Sequence, residues 1–518
     1  MVILKREFIF SGDDIMIYDF PEKTRIIYPP APHPALIDER DAIIKALDRP
    51  LGTSPLISQV DPTSRITIAF DDPCIPIPPM RDDPRGKVIE VVIEKLFAAG
   101  VKKENIRLIC AGGLHRKWTL RELSHILGKK IVREFKRNIT CHDAEDLQNI
   151  VSLGRTPQGD EVEINRALIE SDLVIYVNLT FITMNGGWKS AAVGLSTYNS
   201  IRNHHRPNVL KIGSLIDPEN SGMHASISRM GEIIKEHVNF FMIETVINNA
   251  VWPGYLGKLF NPIGITKTRK PNAVIEAMLP INKVIPSSIK RKVRESLVGG
   301  YRMIGVNAGK VDAVHQKTLE LLFSQQNVTV HGQSDIVIYG VPNFCPYASY
   351  STMNPILVLT MALGYYFNFH RIRPLVKKNG VIIITNPLTN QFNMQHHPSY
   401  YDFYTKHLPE YRDPDAIIKD LEETYAKDQN YIDRYRFDHA YHGVHPILAW
   451  YWASKGMSHV KEVIVAGAKD PQVAKRLGIT PAADLTEAIS RAEEIMGKDA
   501  SIAYQFMPPA FSVDVAFE

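Results

Sequence analysis

Residues 65–70, Arg-Ile-Thr-Ile-Ala-Phe, run into Asp71-Asp72-Pro73-Cys74-Ile75-Pro76-Ile77-Pro78, and this stretch decides the fold. A β-branched apolar run that stops at acidic residues and prolines is a strand feeding a loop. The same grammar repeats downstream. Lys87–Ala99 has apolar residues at helical spacing and ends at Gly100. Asn105–Ala111 is a second strand, leading into Gly112-Gly113, and Thr119 with Glu122 forms a capping box that opens a helix. Asp172–Leu179 is almost continuously apolar, as in a parallel strand buried on both faces, and Phe240–Val246 is a further strand.

A second set begins near Asp335. It has strands at Asp335–Tyr339, Val381–Thr385, Val463–Ala466 and Ser501–Gln505, with helices at Pro355–Tyr365 and Leu485–Met496. Strands alternating with helices predict an α/β fold: two domains with mainly parallel sheets flanked by helices, and an active-site cleft between them. The expected domains are residues 1–325 and 326–518. The segments 252–300 and 391–438 break the alternation and are expected to be insertions that decorate the cleft or an oligomer interface.

Composition narrows the class. With 45% hydrophobic and 22% charged residues, the chain of 518 residues can bury large cores. Sixty Lys+Arg against 56 Asp+Glu leave +4, too weak a bias for nucleic acid or an anionic membrane. The basic clusters Lys267–Lys270 and Lys290–Arg294 are expected to be solvated. Cys74, Cys110, Cys141 and Cys345 lie far apart, which argues against a zinc site or a disulfide framework and suits a reducing, cytoplasmic setting. Lys5, Arg6 and Glu7 stand where a signal peptide needs an apolar core. Pro355–Phe369 is too short for a membrane span and is expected to be a buried helix.

In parallel sheets, functional groups sit on loops beyond the carboxyl ends of the strands. Three such loops are loaded here: Asp71 to Pro78; Gly112-Gly113-Leu114-His115-Arg116; and Asn185-Gly186-Gly187-Trp188-Lys189, with a helix expected to run on to Asn203-His204-His205. Singly, each has a plain explanation. A Gly-Gly pair is often only a tight turn, and a lone histidine or lysine at a helix end is usually solvated. A cation at a helix start is nonetheless mildly misplaced, because that end carries partial positive charge. Neither a GxGxxG nor a P-loop pattern is present.

Taken together, the loops resemble the N-terminal domain of the nickel-dependent lactate racemases. The matching elements run from the Asp72 loop with Pro76 and Pro78, through Gly113-Leu114-His115-Arg116 and Cys141-His142-Asp143-Ala144. They continue with Leu153-Gly154-Arg155-Thr156-Pro157-Gln158-Gly159, Ile164-Asn165-Arg166, and Gly186-Gly187-x-Lys189 with Gly194 and Asn203 to His205. Ala46-Leu47 with Pro50-Leu51-Gly52, Ala308-Gly309-Lys310 to His315, and Gly443-x-His445 resemble further landmarks of the family.

The resemblance implies a racemase or epimerase of a small-molecule 2-hydroxy acid, working by reversible hydride transfer to a nickel-pincer nucleotide covalently attached at Lys189 and supplied by cofactor-biosynthesis enzymes. It implies His205 as the nickel ligand, with His204 as the alternate, and His115 as a catalytic acid/base. Asp72, Gly186 and Gly187 would contact the cofactor, and the helix start behind the glycines would favour its phosphate. Sulfur and imidazole donors in a plane suit nickel(II), and an imidazole is well poised for proton transfer near neutrality.

Three departures stand out. Leu179-Thr180 occupies the place of the family's second acid/base histidine. The arginine of its Asp-x-Thr-Arg-Pro loop is absent from Asp72-Pro73-Cys74-Ile75-Pro76. Asn343–Asn354 contains neither of the expected Gln and Lys. His142, His396, His397 and Tyr401 are candidates for the missing base; alternatively, one histidine serves a substrate held in a single pose. A different hydride-transfer reaction with the same cofactor, or a catalytically lapsed homologue that binds only ligand or cofactor, are the competing readings.

Overall fold

The computed structural model describes residues 5–262, 276–277, 280 and 284–517. The chain opens with the hairpin β1 (Lys5–Ser11) and β2 (Asp14–Phe20), followed by β3 (Thr24–Ile27). A first large sheet uses β4 (Ile66–Asp71), β5 (Ile106–Ala111) and β6 (Ile139–Cys141). After the small antiparallel ribbon β7 (Ile150–Arg155) and β8 (Glu161–Asn165), the sheet takes β9 (Leu173–Thr180), β10 (Phe240–Ile247) and β11 (Met303–Gly309). Its order is β11-β10-β9-β4-β5-β6, parallel throughout except for the antiparallel edge strand β11.

The second set contributes β12 (Asn327–His331), β13 (Ser334–Gly340), β14 (Val376–Thr385), β15 (Glu462–Ala466), β16 (Thr480–Ala482), β17 (Ile502–Gln505) and β18 (Ser512–Ala516). The second large sheet has the order β16-β15-β14-β13-β17-β3 and is parallel throughout, while β12 and β18 form a short parallel pair beside it. Two largely parallel sheets flanked by helices are the expected α/β architecture. Every residue of β9 is buried, as its unbroken apolar run requires.

One boundary needs correcting. The division at 325 assigned the whole N-terminal lead-in to the first domain, yet Thr24–Ile27 pairs in register with Ile502–Gln505 of the second sheet. The first sheet is therefore enclosed in sequence by strands of the second. The short β3 sits at an edge, where four residues suffice and leave little sequence signal.

The helix expected at Pro355–Tyr365 is α-helical over Pro355–Leu359 and opens into a wider π-helical turn over Thr360–Tyr365. Such turns are frequent at functional sites. The capping box is present: Glu122 N donates to Thr119 Oγ1 at 3.2 Å, and Thr119 N donates to Glu122 Oε2 at 2.9 Å. Among the described residues no helix is long and apolar enough to cross a membrane. The Lys267–Lys270 cluster lies outside the described residues.

The segment 391–438 folds into helices that dock across both halves. Glu422 is almost fully buried and accepts hydrogen bonds from Tyr198 and Tyr451, both at 2.8 Å, while pairing with Arg202 at 3.0 Å. Tyr435 Oη donates to Gly113 O at 2.7 Å and accepts from Ala144 N at 3.0 Å.

Arg85 organises the first sheet's carboxyl edge. Its side chain is buried, donates to the carbonyls of Asp71 (3.0 Å), Asp72 (2.9 Å) and Ile75 (2.6 Å), and pairs with buried Asp83 at 2.6 Å. Asp83 also caps the helix Pro84–Ala98 by accepting from Arg85 N. Removing one partner of a buried pair strands the other charge at a cost of roughly 3–5 kcal/mol. Arg85→Met should lower unfolding stability by about that amount in chemical denaturation, because it orphans Asp83 and three carbonyl oxygens.

Candidate functional site

Loops from the carboxyl ends of both sheets enclose one cavity. From the first half it is lined by Asp71, Asp72, Cys74, Gly112, His115, Asn178, Gly186, Lys189 and His205. From the second half it is lined by Tyr347, Thr360, Tyr365, His445 and Trp452. Asp72, His115, Gly186, Lys189 and His205, the residues singled out from sequence, thus share one wall. Gly187 lies just behind that wall, and His204 is fully buried beside His205.

Lys189 begins a helix of only four residues, Lys189–Ala192, and a break precedes the next helix, Tyr198–His205. The single long helix expected here is therefore two short ones, and a helix of four residues carries little dipole. Tight packing explains the break: Gly113 N donates to Gly194 O at 2.9 Å, and a Cβ on Gly113 would stand 2.5 Å from Val193 O. Burial lowers the Lys189 ammonium to about 8, and among the described residues no carboxylate pairs with it. A buried, unpaired amine holds its proton weakly and is correspondingly nucleophilic.

His205 Nδ1 lies 3.0 Å from Ile201 O, and since a carbonyl only accepts, Nδ1 carries the proton and Nε2 keeps its lone pair. The ring stacks on Trp452 at 5.6 Å between centroids. Burial lowers its pKa to about 3, so it is a neutral donor at ordinary pH. His204 turns away, with its Nδ1 2.8 Å from His205 Nδ1. Of the two histidines, His205 is the one that lines the cavity.

His115 is oriented by Asp72. Their Nδ1–Oδ2 distance is 2.9 Å, and Trp118 Nε1 donates to the same oxygen at 3.0 Å. Burial alone would raise the Asp72 pKa, but the His115 charge and hydrogen bond, together with Cys74 and Trp118, outweigh it and hold the carboxyl below its usual range. An ionised Asp72 places the ring proton of His115 on Nδ1 and leaves Nε2 as a base. Asp72, expected at the cofactor, lines the cavity, and its direct contacts orient His115. Asp72, Cys74 and His115 bring donor atoms within 4.8 Å of one another, but that carboxylate is already engaged by its three hydrogen-bond donors.

Gly186 and Gly187 were expected to admit a cofactor close to the backbone. The structure gives them another reason. Both have positive φ, and a Cβ would stand 2.5 Å from Glu244 Oε1 at the first and 2.8 Å from the His315 ring at the second. Buried Glu244 accepts from Gly187 N at 2.7 Å and pairs with His315 at 3.1 Å, so it anchors the turn that presents Lys189.

None of the four candidates for a second base lines the cavity. His142 is buried with both ring nitrogens bonded, to Ser196 O at 2.9 Å and Asn165 at 3.0 Å. His397 hydrogen-bonds Tyr347 O and His396 hydrogen-bonds Ser351, while Tyr401 is exposed. The Leu179 side chain is in the core, and its backbone N–H donates to Asp71 Oδ2 at 2.7 Å. Asp71, raised by burial to about 6, also accepts from Tyr176 and Asn178.

The cavity residues that sequence reasoning missed include Asn178, Tyr347, Tyr365 and, as a site residue, His445. His445 stood within the Gly443-x-His445 landmark, and Tyr347 within a segment searched only for Gln and Lys. Its hydroxyl meets that of Tyr365 at 2.9 Å. The His445 ring centroid lies 5.4 Å from that of His115 and 4.7 Å from that of Tyr347.

Residues 12–214 match the family described as the lactate racemase N-terminal domain. A lactate racemase from Thermoanaerobacterium thermosaccharolyticum is 25% identical over 179 residues, covering 34% of this chain and 40% of the relative. One from Lactiplantibacillus plantarum is 27% identical over 173 residues, 33% of this chain and 39% of the relative. These alignments thus span about two fifths of the curated relatives they match. The solved lactate racemase apoprotein from T. thermosaccharolyticum superposes with a TM-score of 0.62 at 20% identity, covering 99% of this chain and 100% of the other. A protein from Thermotoga maritima superposes with a TM-score of 0.50 at 16% identity over 92% and 97% of the two chains. Over residues 12–214 the chain is thus similar to the lactate racemase N-terminal domain, and along its length it shares the fold of the solved lactate racemase apoprotein.

Proposed function

We propose that the protein is a racemase or epimerase of a 2-hydroxy acid that works by reversible hydride transfer to a nickel-pincer nucleotide tethered at Lys189. The observation that carries this reading is the convergence of Lys189, His205 and His115 on one cavity. The residues fit the group: an unpaired buried amine suits a covalent tether, and an imidazole with Nδ1 fixed by a carbonyl suits a metal ligand through Nε2. When bound, the cofactor would supply a hydride acceptor able to return the hydride to either face of a planar 2-keto acid.

The remaining work falls to the chain itself. His115 Nε2 removes the hydroxyl proton of the substrate and returns it, while the Asp72 carboxylate holds the ring and stabilises its charged form. Aromatic side chains from the second half give the reacting carbon a largely apolar surround. The setting of this reading is the cytoplasm, which suits four free cysteines, with the cofactor delivered by its biosynthetic enzymes.

A second reading has its own support. Among the described residues lining the cavity, Lys189 is the only lysine or arginine. Once tethered, it leaves no cation there to hold a carboxylate, which favours a different hydride-transfer substrate for the same cofactor. A lapsed binder of ligand or cofactor is less favoured, since the Asp72–His115 pair retains the geometry of a general base.

Four outcomes test the proposal. Protein co-produced with the cofactor's biosynthetic enzymes should carry one nickel per chain and added mass on the peptide bearing Lys189; Lys189→Arg should lose both, and an unmodified wild-type chain counts against the reading. His205→Ala should keep the added mass but lose nickel, as read by intact-mass spectrometry beside metal analysis. His115→Ala should abolish inversion in a chiral assay of 2-hydroxy acids while nickel is retained. Tethering should also depend on pH: the reactive amine is the neutral form, so its rate should rise as pH approaches about 8 and level off above it.

A further inference from the structure

We infer that His445 is a catalytic residue that holds and polarises the reacting oxygen of the substrate as a neutral hydrogen-bond donor, with Tyr400 fixing its tautomer. This rests on the reaction proposed above and supplies what that reaction lacks, a partner for His115.

The tautomer follows from hydrogen-bond accounting. Tyr400 is completely buried, and among the described residues its hydroxyl has one hydrogen-bond partner, His445 Nδ1 at 2.6 Å. A buried O–H must donate, so Nδ1 accepts and the ring proton sits on Nε2. The His445 Nε2 has no protein partner among the described residues, and the residue lines the cavity from the first turn of the helix His445–His459. Burial, reinforced by the neighbouring His115, His397, His205 and His442, holds the ring well below the usual histidine range, so it stays uncharged.

His115 has the opposite arrangement. Backed by a carboxylate, it presents a lone pair; backed by a phenol, His445 presents an N–H. The two rings stand edge to face, 5.4 Å apart at 71°, and both line the cavity, where the proposal has one substrate oxygen meet both. In the forward step the substrate O–H bond breaks and its proton goes to His115 Nε2. The electron pair of that bond would become the C=O π bond, and the bound cofactor would supply the two-electron acceptor for the carbinol hydrogen. The carbinol is oxidised and the acceptor reduced, and the return step reverses each transfer. His445 neither gains nor loses a proton; its N–H follows the oxygen from hydroxyl to carbonyl, where a pre-oriented neutral imidazole is an effective electrophile.

The same contact explains how one base can serve both antipodes. A planar keto acid pinned at its oxygen can turn about the C=O axis and present its other face. That turn exchanges the carboxylate with the side chain, and among the described lining residues no arginine holds the carboxylate against it.

The test has two arms. In protein labelled with nitrogen-15 at histidine, the His445 resonances, assigned by their disappearance in His445→Gln, should report a neutral ring protonated at Nε2 at neutral pH. Protonation at Nδ1 instead overturns the proposal. In the second arm, pyruvate labelled with carbon-13 at its ketone carbon is bound to the cofactor-loaded protein. The ketone resonance should move downfield in wild type, keep most of that shift in His445→Gln, whose amide still donates, and lose it in His445→Leu. A full shift in His445→Leu, or no bound signal in wild type, overturns the proposal. Nickel content and added mass at Lys189 are read on the same samples; a wild-type chain lacking both brings down the cofactor reading and this inference with it, an outcome distinct from a loaded protein that shows no polarisation.

Discussion

The site depends on one buried guanidinium. Asp71 and Asp72 end a parallel strand, where the carbonyls of the following loop have no neighbouring strand to accept from, and Arg85 supplies donors to three of them. With that loop pinned, the two adjacent carboxylates point in different directions. Asp71 reaches across to the backbone of Leu179 and the side chains of Tyr176 and Asn178, tying β4 to β9. Asp72 reaches toward β5 and orients His115. Asp83 keeps Arg85 charged in the interior and caps the helix that carries it. A single ion pair thus sets the direction of both acids at the strand end.

The lysine loop on the same side of the cavity obeys the same logic with other chemistry. The turn that presents Lys189 is held by a backbone N–H donated to buried Glu244, and that carboxylate is in turn held by His315. Below it, Trp188 Nε1 donates to Asp312 at 2.8 Å. Asp71, Asp72 and Glu244 are each engaged by hydrogen-bond donors, so the lysine and the imidazoles inside the cavity are the groups left for chemistry. The second half contributes mostly aromatic rings, which complete the enclosure without adding charge.

Much of this was legible before any coordinates. The alternation of β-branched runs and amphipathic stretches located β4, β5, β9, β10 and β13, because central parallel strands are apolar throughout and end at turn residues. Ordered loop residues brought out Lys189, His205 and His115. What stayed hidden has physical causes. β3 and β6 are edge elements of four and three residues, too short for a periodic signal. The substitutes sought for the second histidine were titratable groups in a polar segment, but His142 and His397 are bonded within the core. His445 lies more than 200 residues from Lys189 in sequence, and only the pairing of the two sheets brings them to one cavity.

The placement of β3 has a mechanical consequence. Because the chain enters the first sheet after a strand of the second and returns to the second at β12 and β13, the two halves are joined by two crossings rather than one. A body attached at two points can rotate about the line through them but cannot swing or twist freely as it could on a single tether. Two crossings restrict how one half can turn against the other more than a single tether would, and so help keep the walls that carry His115 and His445 in register.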